Sequence, residues 1–249
     1  DGKKLAFTAL DRLYVMDYPE GTPRRLTNNQ FTEAFPTWSP DGNSIVFSSW
    51  TAEGGHLYKV GANGKTPAIQ LTKAPALYQS AVFTPSGERL VFQRASAQAY
   101  KNSISPGYNS NEEELCWMPA NGGEITVIDK CMDRYNPHFV KGENRIYLDN
   151  NGQLLSINWD GGDEKIIAKV TGITTYGISN FKNGQPANND CLLTEAQGEG
   201  MEMSQPASAA VITMSPTGKR ALAKINNEIY VVSLPETGKT ININVADAA

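Results

Sequence analysis

The chain contains only two histidines, His56 and His138, and they stand 82 residues apart. Imidazole titrates near neutral pH, so these two residues bound most of the acid–base chemistry the chain could perform. An amidohydrolase-type metal centre needs a His-x-His pair with further His and Asp ligands, and neither histidine has such a neighbour. There is no His-Glu-x-x-His helix motif and no Gly-x-Ser-x-Gly nucleophile elbow. A Ser-His-Asp triad would have to use His56 or His138. The sequence therefore offers no catalytic set, no metal centre and no cofactor site.

Three apparent phosphate loops fail on spacing. Gly61-Ala62-Asn63-Gly64-Lys65-Thr66 has Lys59 where the first glycine belongs, Gly238-Lys239-Thr240 has Ser233 there, and Gly218-Lys219 continues with Arg220. All three read as hairpin turns rather than strand-to-helix turns. Asp149-Asn150-Asn151-Gly152 matches a calcium loop over four residues only and also reads as a turn. Asp17, Asp41 and Asp160 are expected at turns, with a cation in a central channel as the alternative.

Four residues are candidates for binding. Trp50 and His56 flank a polar, Gly-rich connection. Tyr100 and Tyr108 lie in a segment rich in Asn, Ser and Tyr beside Glu112-Glu113-Glu114. Each has a plainer reading as part of a solvated loop. The sharper reading is that they line a rim for a sugar, a peptide or a neighbouring domain. His138 precedes Phe139 and is expected to be packed or hydrogen-bonded.

The elements that would position these residues come from a repeat. Trp38-Ser39-Pro40-Asp41-Gly42 precedes Ile45-Val46-Phe47, Phe83-Thr84-Pro85-Ser86-Gly87 precedes Leu90-Val91-Phe92, and Met214-Ser215-Pro216-Thr217-Gly218 precedes Ala221-Leu222-Ala223. Phe139 to Ile146 keeps the seven-residue spacing, and Asp1-Gly2 before Leu5-Ala6-Phe7 is the same unit without its head. A second run follows each time, as in Leu57-Tyr58-Lys59-Val60 and Leu115-Cys116-Trp117-Met118. A Gly-bearing turn and a last short run complete the unit. The Pro ends one strand, the Gly supplies a positive φ, and β-branched and aromatic residues fill the next strand. Four short strands every ~40–45 residues is the signature of a propeller blade.

Trp38 to Phe83 is 45 residues, Phe83 to Phe139 is 56 and Phe139 to Met214 is 75. The second interval implies an insertion at about 96–113. The third implies a degenerate blade at about 171–208, built from Tyr176–Phe181, Cys191–Thr194 and Met201–Met203. The expectation is an all-β propeller of four-stranded antiparallel blades, about six in number, forming a single domain over 1–249. The first blade is expected to be incomplete, because it lacks its innermost strand. A closed ring needs that strand, so either the ring is open or the chain is part of a longer protein, and the second is the expectation.

At Phe35-Pro36-Thr37-Trp38-Ser39-Pro40-Asp41-Gly42, with Ile45-Val46-Phe47-Ser48-Ser49 and the endings Leu26-Thr27 and Leu71-Thr72, the chain resembles the TolB-like propeller repeat, also called the WD40-like or PD40 repeat. Trp50 to Val60 looks most like the propellers fused to amidohydrolases. The resemblance implies a periplasmic or secreted location. It also implies a non-catalytic scaffold for protein or ligand interaction in the cell envelope. The alternative it implies is the propeller portion of a secreted hydrolase, an amidohydrolase or a serine peptidase, gating substrate for a catalytic domain outside this chain. The expected partner is another protein or a fused catalytic domain.

Composition is consistent with this. Lys and Arg total 22 against 26 Asp and Glu, a net charge of −4, which lacks the basic footprint of a nucleic-acid binder. No run approaches the ~18 apolar residues of a membrane-spanning helix. Cys116, Cys131 and Cys191 form no C-x-x-C pair. Cys116 and Cys131 could bridge across a hairpin or stay buried as free thiols.

Overall fold

Hydrogen bonds repeat with the sequence at each Pro-Gly turn. Ser39 N donates to Ser44 O at 2.9 Å and Gly42 N to Ser39 O at 2.9 Å; Thr84/Arg89 with Gly87/Thr84, and Ser215/Arg220 with Gly218/Ser215, repeat the pair at 2.7–2.9 Å. Gly42, Gly87 and Gly218 hold φ of +70°, +76° and +72° there, a region costly for a side chain with a Cβ. In the first of these turns Asp41 accepts from Ser39 Oγ at 2.5 Å and Asn43 N at 3.0 Å. These bonds, led by the one from Ser39, hold its carboxyl down at about 2.

The structure is a computed structural model. It describes residues 2–102, 112–172, 208–225, 227–236 and 239–245, with the backbone of 181–182 and 185–186. Blade 1 comprises β1 (Lys4–Ala9), β2 (Arg12–Asp17) and β3 (Arg24–Arg25). Blade 2 comprises β4 (Thr32–Trp38), β5 (Ser44–Trp50), β6 (Leu57–Gly61) and β7 (Ile69–Gln70). Blade 3 comprises β8 (Leu77–Phe83), β9 (Arg89–Ala95), β10 (Glu114–Pro119) and β11 (Thr126–Lys130), with helix α1 (Ala97–Asn102) between β9 and β10. Blade 4 comprises β12 (Tyr135–His138), β13 (Ile146–Asn150), β14 (Gln153–Ile157) and β15 (Lys165–Thr171). A two-stranded ladder, β16 (Phe181–Lys182) with β17 (Gln185–Pro186), follows. Blade 5 comprises β18 (Val211–Met214), β19 (Arg220–Ile225) and β20 (Glu228–Ser233), and the last strand is β21 (Ile241–Asn244).

The all-β propeller is therefore present, and its first blade is incomplete. β1 occupies the register position that β5 holds in blade 2. The count is five blades rather than about six. The expected degenerate blade at 171–208 lies largely outside the described residues, and its described parts are the two-stranded ladder and the bridge Thr171↔Ser208. A direct contact between blades 4 and 5 corrects the count. Met214 N donates to His138 Nε2 at 2.9 Å, Ile212 N to Asp149 Oδ2 at 3.1 Å, and Ala209 N to Val170 O at 3.0 Å. Blades 4 and 5 are thus direct neighbours. The last strand also departs from expectation. Instead of edging blade 5, β21 runs parallel to β15, with Ile241 and Ile243 packed on the core shared by blades 4 and 5.

Four apolar clusters hold the blades face to face. Leu13, Val15, Ile45, Phe47 and Val60 join blades 1 and 2. Val46, Leu57, Leu90, Phe92 and Cys116 join blades 2 and 3. Val91, Leu115, Cys131, Ile146 and Leu148 join blades 3 and 4. Tyr147, Leu154, Ile212, Ala221 and Ala223 join blades 4 and 5. Successive residues of a strand face opposite neighbours, because the side-chain period is two. Cys116 and Cys131 thus belong to different clusters on opposite faces of blade 3, and both are free buried thiols rather than a bridge.

Candidate interaction face

The chain enters each inner strand at the same end of the ring as the connection between second and third strands. The inner strands share one irregularity halfway along their length. Pairing breaks between Ala34 and Thr37 in β4, between Gln79 and Val82 in β8, and between Tyr135 and His138 in β12. Phe35, Ser80 and Asn136 sit at these breaks with φ of +53°, +51° and +54°. They are β-bulges at one repeated position, three residues before Trp38, Phe83 and Phe139. Asn tolerates the left-handed region, but for Phe35 it costs about 1–2 kcal/mol. Phe35 and Tyr135 remain 49% and 36% exposed, so the bulges present aromatic surface to solvent. Sequence reasoning missed them. Pro36 and Pro137 were the available signal, since proline inside a strand pattern marks an edge or a bulge.

Trp50 and Tyr100 come together at the entry end, where Trp50 pairs with Thr32 at the start of β4. Trp50 ends β5, Tyr100 lies on α1, and their rings meet edge-to-face with centroids 5.2 Å apart. The helix rests on the 51–56 connection, where Lys101 Nζ bonds to Ala52 O. A Cβ on Gly54 would lie 2.9 Å from Ala97 Cβ and 3.2 Å from Pro75 Cβ. The Thr51 hydroxyl, chiefly, holds the Glu53 carboxyl below its ordinary range, and Lys101 adds to this.

His56 lies at the other end of the same connection, half-buried just before β6. Its Nδ1 lies 3.1 Å from Thr72 Oγ1 and 3.3 Å from Gln70 Nε2. Thr72 Oγ1 also accepts from Leu57 N at 3.2 Å. The imidazole thus ties the start of β6 to the end of its own blade. Tyr108 lies outside the described residues, as does most of the 96–113 insertion beyond α1.

Near the base of that insertion lies a buried polar group. Glu113 O accepts from Cys131 N at 2.8 Å, while Glu113 Oε2 has no hydrogen-bond partner. Burial first, then the Asp133 charge, pushes its carboxyl up. Beside it the buried Arg134 guanidinium bonds Asp129 Oδ2 at 2.5 Å, Lys130 O at 2.6 Å, Cys131 O at 3.0 Å and Glu164 Oε2 at 3.3 Å. Its donors are directed within the fold rather than at an open site.

The acidic candidates have structural roles. Asp160 Oδ1 accepts from Gly162 N at 3.0 Å, Asp17 pairs with Lys4 at 3.5 Å, and Asp149 bridges blades 4 and 5 rather than forming a turn. Among the described residues no three His, Cys, Asp or Glu side chains gather as metal ligands, and no helix is long and apolar enough to cross a membrane.

No protein-family model matches the chain. Among solved structures it is similar to TolB from Acinetobacter baumannii, with a TM-score of 0.57 and 13% identity over 96% of this chain and 54% of that one. It is also similar to a chain of a nidogen/laminin complex, with a TM-score of 0.60 and 10% identity over 98% of this chain and 80% of that one. A prolyl endopeptidase matches with a TM-score of 0.52 and 14% identity over 94% of this chain and 32% of that one. The fold is that of the TolB-like propellers. The chain spans about half the length of the TolB chain it matches.

Proposed function

We propose that the chain is a non-catalytic propeller scaffold that presents its entry end to a protein partner in the cell envelope, in the periplasm or outside the cell. The observation that supports this is the exposed aromatic surface of the entry end and of the inner strands that lead from it. Tyr100, set against Trp50, stands exposed at the entry end, and Phe35 and Tyr135 are exposed at the bulges halfway along the inner strands. Aromatic side chains carry much of the binding energy in protein interfaces. A chain of the same fold in a nidogen/laminin complex is consistent with such a role. The test places a photo-crosslinking residue at Tyr100 or Ala52, and at Asn43 on the opposite end, in the native cell envelope. Discrete adducts from the first two positions and none from Asn43 are expected. Equal yields from both ends discard the assignment.

A second reading is the propeller portion of a secreted hydrolase. The likeness to a prolyl endopeptidase favours it, since 94% of this chain matches only 32% of that one. A fluorophosphonate probe applied to the natural polypeptide distinguishes the readings. Covalent labelling at a serine outside residues 1–249 supports the hydrolase.

A further inference from the structure

Every blade has a front face toward the preceding blade and a back face toward the following one. Val46, Val91, Tyr147 and Leu222 hold the same back-face position on the second strands of blades 2 to 5. Leu57, Leu115, Leu154 and Ile229 hold the matching position on the third strands. The first three residues of each series are at most 5% exposed, whereas Leu222 is 51% and Ile229 70% exposed. Val231 and Val211, on the same face of blade 5, are 65% and 41% exposed. At the other end of the stack Leu5 and Phe7 stand where Ile45 and Phe47 stand in blade 2. Leu5 is 42% exposed, while Ile45 and Phe47 are both fully buried. Among the described residues Phe7 stacks on Tyr14 of its own blade, with ring centroids 5.7 Å apart.

We propose that the back face of blade 5 and the front face of blade 1 receive one additional blade, supplied in cis by polypeptide flanking residues 1–249. The occupant is identified by continuity with the interfaces already formed. Each of the four apolar clusters joins two units consecutive in one chain. Each sets a front face of alternating aliphatic or aromatic residues against a back face of the kind blade 5 carries. A four-stranded antiparallel sheet with that alternation on both faces covers Leu222, Ile229 and Val231 on one side and Leu5 and Phe7 on the other. Contiguous apolar surface of this kind is uncommon on a finished monomer and marks an interaction site. The proposal is independent of which partner the entry end binds.

The test compares Leu222→Cys in the natural polypeptide with the same substitution in residues 1–249 alone, by the rate of N-ethylmaleimide modification mapped to that peptide. Val46→Cys gives the rate for a covered position. In the natural polypeptide the cysteine at 222 is expected to react about 100-fold more slowly than in residues 1–249, as for a site reached only by local opening. Equal rates overturn the proposal, and so does a natural polypeptide with the 27.1 kDa mass of this chain. Protection in residues 1–249 alone also overturns it: protection that rises with concentration assigns the face to a second copy, and constant protection to this chain itself. Ile229→Cys provides the same comparison if the first variant does not fold.

Discussion

His138 Nε2 accepts the backbone amide of Met214 at 2.9 Å, while His138 Nδ1 lies 2.7 Å from Asn136 O. The two contacts assign the proton to Nδ1 and make the neutral imidazole the link between the inner strands of blades 4 and 5. Burial pushes the His138 pKa below its ordinary 6.5, against the opposing effect of Asn136 O. The unfolded chain therefore binds this proton more readily than the folded one. The contribution is fully present above about pH 6.5 and is lost as pH falls toward the depressed folded value. Urea midpoints for the wild type should drop between pH 7.5 and 5.5, and His138→Gln should flatten that part of the profile.

Asp149 gives the opposite sign. Burial raises its pKa, while the amides of Ile212 and Asn136 oppose the rise. The folded state binds this proton more tightly, so the group adds stability as pH falls through the raised folded value toward 3.8. In Asp149→Asn this gain should vanish from the acid limb of the stability profile, leaving the histidine step unchanged.

Glu33 is 1% exposed and accepts from Leu13 N at 2.7 Å, Thr27 Oγ1 at 2.5 Å and Asn29 Nδ2 at 2.9 Å. Removing it leaves buried donors of blade 1 unpaired. Glu33→Ala should cost about 2–4 kcal/mol in equilibrium unfolding, since each buried group left unpaired costs about 1–3 kcal/mol. A smaller loss for Glu33→Gln would identify the hydrogen bonds, rather than charge, as the cause.

Gly54 governs the seat of α1. Gly54→Ala should lift the helix from the 51–56 connection and speed tryptic cleavage at Lys101, with little change in the global unfolding midpoint. Unchanged cleavage would show that the helix is held elsewhere.

Cys116 and Cys131 are pushed up to about 12 and about 11, in both cases chiefly by burial. Thiolate is the reactive form, so neither should react with Ellman's reagent at pH 8 until the protein unfolds. Peptide mapping after a native pulse would check this, and alkylation at either residue would contradict the buried placement.

The amino-acid sequence alone determined the blade unit. The Pro-Gly turns at 40–42, 85–87 and 216–218, and the runs beside them, are local signals, because a turn needs a particular φ and a strand a period of two. The incomplete first blade was legible for the same reason, as was the structural role of His138. Only tertiary structure decided what happens between units. The five-blade count rests on His138 and Asp149 bonding directly to blade 5, a contact across more than 60 residues that no spacing encodes. The bulges at Phe35, Ser80 and Asn136, the meeting of Trp50 with Tyr100, and the contact of His56 with Thr72 depend likewise on which strands lie side by side. Periodicity reports which face a residue takes; it does not report which partner that face finds.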